Sequence, residues 1–403
     1  MVTTASAPGA AAQRSPWAVF LAFLRLGCTS FGGPVAHLGY FRTEFVERRH
    51  WLAESAYAEM VALCQFLPGP ASSQVGMAIG LSQAGALGMI GAWAGFTLPS
   101  AALMTAFAYG VDLLGGVGDS WLHGLKVAAV AVVAQAVWGM ARTLAPDRPR
   151  ATIAVGAAWL ALFVPTAWGQ IAGIAAGGLI GARWLAGQSR GAGAPLPFAI
   201  HRGAAVACLV VFFGLLALLP LLRNVSHALA LADSFYRTGA LVFGGGHVML
   251  PLLQSEAIAP GWISSSRFLA GYGAAQAIPG PLSTFAAYLG AAMTPEPRGL
   301  AGAALCLVAI FLPSGLLLAG VLPFWETVRQ RRAAQGALSG INAAVVGLLL
   351  TALYQPVWTG SIGRPADFAL AVAAFLLLQI WRVPPWLVVL LSAVAGAALA
   401  AIP

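Results

Sequence analysis

The chain has 403 residues, of which 60% are hydrophobic and only 8% are charged, and its mean hydropathy is +0.84. Soluble domains carry about 25% charged residues, so this composition excludes a soluble globular protein and indicates a polytopic membrane protein. The net charge of +9 does not indicate nucleic-acid binding, because the arginines are scattered in short loops between apolar runs, as the positive-inside rule predicts.

The N-terminal tail, residues 1–16, is small and polar. The apolar run after it has no A-x-A-like cleavage site, which argues against a removed signal peptide. Thirteen apolar runs follow as candidate membrane segments. Several are shorter than the roughly 20 residues that a straight helix needs to cross a bilayer, so some are expected to be broken or re-entrant. The runs lie near 17–35, 57–80, 84–111, 121–142, 151–165, 168–187, 198–222, 229–250, 266–291, 299–323, 335–358, 366–381 and 384–402.

The chain consists of two related halves. Aligning residue n with residue n+212 places segment 23–33 on segment 235–245 with six identities. A shift of one residue superimposes two Pro-Gly-Pro sequences. Such a collinear set of matches indicates an internal duplication. We therefore predict a first repeat at 17–187, a linker with one connecting transmembrane segment at 188–228, and a second repeat at 229–403.

Charged loops indicate that the two repeats have opposite orientations. The loop after the third segment holds Asp112 and Asp119, whereas its counterpart in the second repeat holds Arg329, Arg331 and Arg332. Basic loops face the cytoplasm, so equivalent loops of opposite charge lie on opposite sides. Seven segments, an odd number, separate equivalent points, which also inverts the second repeat. The predicted fold is an all-α polytopic membrane protein with an inverted-topology repeat and broken or re-entrant helices.

A Pro-Gly-Pro sequence occurs in each half, in QFLPGPASS at 65–73 and in QAIPGPLST at 276–284. Proline lacks a backbone N–H and clashes with the preceding turn, so each sequence interrupts its apolar segment. Backbone groups freed at membrane depth are costly unless they line a cavity or bind a ligand. Matching breaks in two halves of a transporter point to its substrate site.

Each break places hydrogen-bond donors at the start of a half-helix, where the helix dipole favours an anion. If the halves are inverted, the two starts approach near the bilayer midplane and form a site for a small, doubly charged oxyanion. A kink that serves only helix packing is the alternative. The residues predicted to bind the anion here are Gln65, Gly69, Ser72, Ser73, Gln276, Gly280, Ser283 and Thr284.

Two glycine-rich runs are the second candidate feature, Phe-Gly-Gly-Pro at 31–34 and Phe-Gly-Gly-Gly at 243–246. They either unwind a helix and expose backbone donors, or allow helices to pack closely. The adjacent His37 and His247 are not equivalent in the alignment, and each is either a hydrogen-bonded structural residue or a proton carrier. The glycines assigned to the site are Gly32, Gly33, Gly244 and Gly245.

Few charged residues lie inside the apolar segments, where they are costly and usually face a cavity. Arg25 and Arg237 are equivalent, and we predict that they bind the oxyanion, because arginine can donate two parallel hydrogen bonds. The alternative is that both side chains extend to the membrane interface. Lys126, the only lysine, either neutralises the anion or pairs with Glu59, which is itself a candidate proton carrier.

These motifs resemble the chromate transporter family in its long, two-domain form. The resemblance is carried by the glycine-rich runs at Phe31 and Phe243 and by the Pro-Gly-Pro sequences at Pro68 and Pro279, and it covers nearly the whole chain. It implies a secondary active transporter of the inner (plasma) membrane that exports chromate and confers chromate resistance. It also implies related oxyanions, such as sulfate, as substrates of some members.

The residues alone indicate a carrier for a small tetrahedral oxyanion and do not specify chromium. With the resemblance, the expected partners are a chromate or sulfate-like dianion, the lipid bilayer and a second copy of the chain in a homodimer. An anion channel is the first alternative, since it would use similar broken helices. A membrane enzyme would need a convergent acid, base or metal cluster, and we predict no catalytic residue, metal site or cofactor. Glu44 and Glu256 are equivalent, but we expect them in loops at the interface.

Overall fold

The computed structural model describes residues 14–113, 119–185, 196, 200–243 and 245–400, and these residues form helices without a β-strand. The first half contains α1 (Pro16–Thr29), α2 (Gly33–Arg42), α3 (Glu54–Phe66), α4 (Ala71–Leu113), α5 (Asp119–Leu144), α6 (Arg148–Phe163) and α7 (Ala167–Trp184). α8 (Arg202–Leu222) connects the halves. The second half contains α9 (His227–Leu241), α10 (Met249–Ala257), α11 (Ser265–Ala275), α12 (Phe285–Ala292), α13 (Gly299–Val321), α14 (Trp325–Arg329), α15 (Arg332–Ala352), α16 (Pro365–Gln379) and α17 (Pro385–Ala400).

Short irregular helical turns extend several of these helices. A π-helical turn, Thr43–Arg48, follows α2, and 3₁₀ turns precede α10 and α12 at Gly246–Val248 and Leu282–Thr284. Many helices begin at a side chain that accepts a hydrogen bond from a free N–H of the first turn, which fixes where the helix starts. These capping residues are Ser15, Asp147, Thr166, His201, Ser226 and Ser264.

Five helices are long and apolar enough to cross a membrane, among the residues that the structure describes. They are Ala71–Val111, Ser120–Leu144, Arg202–Leu222, Gly299–Arg329 and Arg332–Trp358. Shorter apolar helices accompany them, as the short runs in the sequence predicted. The connecting segment predicted within 188–228 is α8, whereas residues 188–195 of that linker lie outside the described part of the chain. The prediction of an all-α membrane protein is confirmed.

A tight reversal follows each Pro-Gly-Pro break. Within α4 the helical backbone is interrupted at Ala84 and at Gly85, whose φ is +63°. Gly80 and Gly88 then lie against each other, because a Cβ atom on Gly80 would be 2.2 Å from the Gly88 carbonyl oxygen. A straight helix would hold residues eight apart about 12 Å from each other, so α4 folds back on itself.

The second half repeats this reversal between α12 and α13. A Cβ atom on Gly290 would lie 2.2 Å from the carbonyl oxygen of Gly302 across the connecting loop. The sequence predicted separate segments at 57–80 and 84–111, with the border placed correctly. The predicted interruption of the first of these segments at its Pro-Gly-Pro also occurs, because α3 ends at Phe66 and α4 begins at Ala71. The half-helix after each break is therefore the first arm of a helical hairpin.

The halves exchange their last helices. α6 and α7 of the first half pack against α15 of the second, and α16 and α17 of the second half pack against α5 of the first. Glycines permit both contacts, since a Cβ atom on Gly340 would lie 1.9 Å from Gly177 O and one on Gly124 would lie 2.1 Å from Ser392 O. Gly124 and Gly340 are equivalent positions, so the exchange is reciprocal. This confirms a protein built from two homologous halves.

The exchange predicts that these glycines do not tolerate a side chain. Gly340→Ala and Gly124→Ala each push a methyl group into backbone, and we expect each to lower the free energy of unfolding by about 1–3 kcal/mol. The measurement is the melting temperature of the purified protein in detergent. Gly214→Ala is the matched control, because a Cβ atom on Gly214 meets no atom within 4 Å. Equal melting temperatures in all three variants would contradict the exchange.

Candidate functional site

The two breaks bind the glycine-rich segments crosswise between the halves. The N–H of Gly69 donates to the carbonyl of Val242 over 2.6 Å, and the N–H of Gly280 donates to the carbonyl of Ser30 over 2.9 Å. Ser30 and Val242 are equivalent, and each immediately precedes a Phe-Gly-Gly sequence. All four motifs therefore lie together, and we call this region the junction.

Glycine is required at both breaks. Gly69 and Gly280 have φ values of +130° and +97°, which side-chain-bearing residues rarely adopt. A Cβ atom would also lie 2.4 Å from Ser314 Oγ at Gly69, and 2.7 Å from Ser100 Oγ at Gly280. Ser100 and Ser314 are equivalent, so each break also packs against a serine of the opposite half. The two glycines hold the breaks in place and leave no space between them and these serines.

A cavity of about 310 Å³ lies along the second break, and we call it the junction cavity. Four residues predicted for the site line it, namely Gly32, Gly33, Gln276 and Gly280, together with His247. No Asp, Glu, Lys or Arg is among its described lining residues. The cavity is therefore polar without being charged.

Hydrogen-bond donors reach the junction cavity from three directions. The Nε2 atom of Gln276 is buried and has no acceptor among the described residues. α2 begins at Gly33 and the 3₁₀ turn before α12 begins at Leu282, and both residues line the cavity. The free N–H groups of a helix start favour an anion, and so does the helix dipole.

Tyr272 holds one polar side chain of the cavity. Its hydroxyl lies 2.9 Å from Nδ1 of His247. This contact ties α11 to the 3₁₀ turn before α10. The sequence analysis missed Tyr272, although it precedes Gln276 by four residues, the spacing of one helical turn.

His37 lies on the other side of the junction and is fully buried. Its Nε2 atom lies 3.2 Å from the carbonyl oxygen of Ser30, and its Nδ1 atom lies 3.3 Å from Ser72 Oγ. A carbonyl only accepts, so Nε2 carries the hydrogen and a neutral ring accepts at Nδ1 from the Ser72 hydroxyl. His37 thus ties α2 to the first turn of α4, and the hydroxyl hydrogen of Ser72 is already engaged.

The other hydroxyl groups predicted to bind the anion have different surroundings. Thr284 donates its hydroxyl hydrogen to Pro281 O over 2.9 Å, which closes its own turn. Ser73 Oγ is buried without a partner among the described residues, and Ser283 is also buried. The sequence predicted four equivalent donors, but local hydrogen bonds engage at least two of them.

Arg25 and Arg237 do not line the junction cavity, contrary to the sequence prediction. Arg237 is mostly buried, forms an ion pair with Asp233 and lies 3.4 Å from Glu256 Oε1. Arg25 is exposed on α1 and has no partner among the described residues. The cause is local, because the position equivalent to Asp233 is Leu21, which offers Arg25 no carboxylate.

Glu44 and Glu256 are buried, not interfacial as the sequence analysis expected. Glu44 accepts from Arg49 Nε over 2.7 Å. Glu256 accepts from Ser234 over 2.8 Å and lies near two arginines. Glu44 and Glu256 follow their glycine-rich runs by the same distance, so they are equivalent positions of the two halves. This equivalence was the sequence signal that could have predicted their burial.

Lys126 and Glu59 lie in two further cavities. Lys126 donates to Ser266 over 3.2 Å and lines a cavity with His123 and Asp367. Glu59 accepts from Trp325 and Arg329, so the alternative pairing of Lys126 with Glu59 is not the one observed.

Gln65, Gly244 and Gly245 are the remaining residues of the predicted site. Gln65, the counterpart of Gln276, lines the cavity beside Glu59. Gly245 has φ of +133° and precedes the 3₁₀ turn before α10, whereas Gly244 lies outside the described residues.

Comparison with known proteins identifies a family and several relatives. A family model described as Chromate transporter matches residues 17–182 and 229–397 of this chain. A chromate transport protein of Pseudomonas aeruginosa is 28% identical over 334 residues, which cover 82% of this chain and 78% of that protein. A chromate transport protein of Cupriavidus metallidurans is 26% identical over 397 residues, which cover 94% of this chain and 90% of that protein. No solved structure matches the chain significantly.

A shorter relative corresponds to one half of the chain. The uncharacterized transporter YwrB of Bacillus subtilis is 30% identical over 166 residues, which cover 40% of this chain and 82% of that protein. The two regions that the family model matches likewise correspond to the two halves.

The unequal surroundings of Arg25 and Arg237 predict unequal effects on stability. Arg237→Ala leaves the buried carboxylates of Asp233 and Glu256 with only the more distant guanidinium of Arg223, and we expect it to lower the free energy of unfolding by about 3 kcal/mol. Arg25→Ala removes an exposed side chain and should change it by less than about 0.5 kcal/mol. Melting temperatures of the two purified variants provide the comparison, and each serves as the control for the other. Equal losses would show that the two arginines have equivalent surroundings.

Proposed function

Because this chain belongs to the chromate transporter family, we propose that it is a secondary active carrier that exports chromate across the inner membrane and thereby confers chromate resistance. The relatives from Pseudomonas aeruginosa and Cupriavidus metallidurans are both named chromate transport proteins, and both align with most of the chain. The several apolar helices are those of a multi-pass membrane protein.

The junction cavity is the observation that supports this proposal. It has an unpaired buried amide donor on Gln276 and two helix starts at Gly33 and Leu282, and its described lining holds no carboxylate to repel a dianion. Its described lining also holds no Lys or Arg, so an oxyanion would be bound through helix dipoles, the Gln276 amide and the imidazole of His247.

The site forms where the two halves are joined, which suits alternating access. Gly280 is bonded to Ser30 of the first half, and Gly69 is bonded to Val242 of the second. Movement of one half against the other would therefore reshape the cavity that holds the anion. Carriers with internal repeats place their substrate sites at such boundaries.

A carrier of broader range is the second candidate. Chromate and sulfate are both tetrahedral dianions, and amide donors distinguish them poorly. An anion channel would use the same donors but would differ in its kinetics. The donors of the junction cavity support an oxyanion as the substrate, and family membership supports chromate.

Flux through reconstituted protein tests the function directly. We expect proteoliposomes of the purified protein to take up radiolabelled chromate in a saturable manner, and an imposed pH gradient or membrane potential to accelerate that uptake. Uptake abolished by excess sulfate would establish the broader oxyanion carrier instead. Non-saturable flux, without exchange of internal for external chromate, would establish a channel. Absence of chromate flux under every gradient would refute the proposal.

Gln276 provides a test of the site. Gln276→Leu removes the unpaired donor at nearly constant volume, and we expect it to reduce chromate uptake at low concentration by about tenfold, as the loss of one hydrogen bond to a charged group predicts. The control is Gln170→Leu, since Gln170 is a partly buried glutamine of α7 that bonds Pro251 O and lines none of the three cavities described above. Both variants should fold to similar yields. Equal uptake by both would place the site elsewhere.

A further inference from the structure

A second polar cavity, of about 300 Å³, lies beside the first break. α3 of the first half forms one wall, and α14 and α15 of the second half form the other. We call it the Arg329 cavity. Its polar lining residues are Glu59, Gln65, Arg329, Gln335, Ser339 and Asn342. Unlike the junction cavity, it contains a full positive charge.

Arg329 is held there by two carboxylates of different exposure. Its side chain is only 7% exposed, its Nη1 atom lies 3.0 Å from Glu59 Oε1, and its Nε atom lies 2.8 Å from Glu326 Oε2. Glu59 Oε1 also accepts from Trp325 Nε1 over 2.7 Å. Glu59 is buried, whereas Glu326 is mostly exposed. The buried carboxylate thus lies in a pocket of donors that face a cavity.

Such a pocket suits an external oxyanion as well as a carboxylate. The planar guanidinium of an arginine donates in the same geometry to a carboxylate and to a tetrahedral oxyanion. Glu59 therefore lies where an anionic ligand would lie, inside a cavity with space beyond it. Gln65 belongs to the first break, so an anion held at Arg329 would lie beside a segment that is bonded to the junction.

The arrangement exists in one half only. The position equivalent to Glu59 is Ala270, which cannot compete for a cation. Arg331 and Arg332 are exposed next to the cavity. They belong to the basic loop that the positive-inside rule places on the cytoplasmic side. An anion that approaches from that side would meet a positive surface before it reaches Arg329.

The geometry points to an anion-binding site at the Arg329 cavity, where a tetrahedral oxyanion and the Glu59 carboxylate compete for Arg329. This inference rests on the proposed function and adds a site on the cytoplasmic side of the junction. When the oxyanion displaces Glu59, two anions share one buried cavity. The freed carboxylate then takes a proton from water and becomes neutral, because like charges at close range disfavour ionisation. Binding of one oxyanion is thereby coupled to uptake of a proton.

Of the titratable and charged groups near this cavity, Glu59 is the one that takes up this proton. α14 contributes Arg329 and, through it, Glu326. Residues 71–111 of α4 include no charged side chain, and the described lining residues from α15 are uncharged. α2 contributes the buried His37, which is bonded to Ser30 and Ser72, and Arg42, which is bonded to Glu47 and Glu54.

Calorimetry of sulfate binding to the purified full-length protein in detergent tests this coupling. Sulfate keeps both of its charges near neutral pH, whereas chromate takes up a proton itself, so protons taken up with sulfate belong to the protein. The heat of binding, measured in two buffers of different ionisation enthalpy, gives the number of protons taken up. We expect net uptake by the unaltered protein and none by Glu59→Gln. That variant should also bind sulfate about tenfold more tightly, within the usual range for coupled equilibria.

Two more variants complete the experiment. Arg329→Gln should lose the proton-linked binding. Glu326→Gln is the matched control, because it removes the exposed carboxylate from the same arginine and should retain the proton uptake. Melting temperatures establish that each variant is folded. Proton uptake in Glu59→Gln equal to that of the unaltered protein, or unchanged proton-linked binding in Arg329→Gln, would overturn the proposal. So would the absence of both sulfate and chromate binding to the unaltered protein.

Chromate flux in proteoliposomes separates this inference from the function on which it rests. Chromate transport by the unaltered protein, combined with unchanged proton uptake in Glu59→Gln, would refute the Arg329 site and leave the carrier intact. Proton-linked sulfate binding that depends on Arg329, without chromate transport under any gradient, would support the site and refute the carrier.

Discussion

The structure depends on the satisfaction of backbone groups that two Pro-Gly-Pro breaks release inside a bilayer. No water is available there, so a free N–H or carbonyl group must find a partner in the protein. The carbonyls of Pro68 and Pro281 accept from Gln74 and Thr284 of their own halves, but the N–H of the central glycine in each break does not bond within its own half. Gly69 donates to Val242 and Gly280 donates to Ser30, so each break is completed by the other half. The close contact of the two halves, and the cavity between them, follow from this constraint.

The two halves contact each other reciprocally at several places in the fold. The breaks bind across the halves, the serines that pack on them come from the opposite half, and the last helices of each half pack on the long helix of the other. Membrane helices attract each other through close packing and not through exclusion of water. Glycines allow this packing, because they let two helix backbones approach closely. A half-length protein would need a second copy to supply the missing parts.

Buried charges show how the duplicated halves have diverged. A charged side chain inside a membrane protein needs a partner of opposite charge. A difference between the halves at a single position decides whether that partner is present. Asp233 gives Arg237 a carboxylate four residues away, whereas Leu21 leaves the equivalent Arg25 exposed. Glu59 and Arg329 occur in one half each and meet across the boundary between the halves. The two halves therefore repeat the same backbone contacts at their breaks but differ in their buried charges.

The sequence by itself determined the membrane class, the duplication and the positions of both breaks. These depend on composition, on proline geometry and on spacing along the chain, which need no folded partner. Only the tertiary structure decided which donors remain free. Ser72 is engaged by His37, Thr284 closes its own turn, and the buried Nε2 atom of Gln276 has no acceptor among the described residues. The pairing of Glu59 with Arg329 joins residues 270 positions apart. No local pattern predicts such a contact, because packing of whole helices brings the two side chains together.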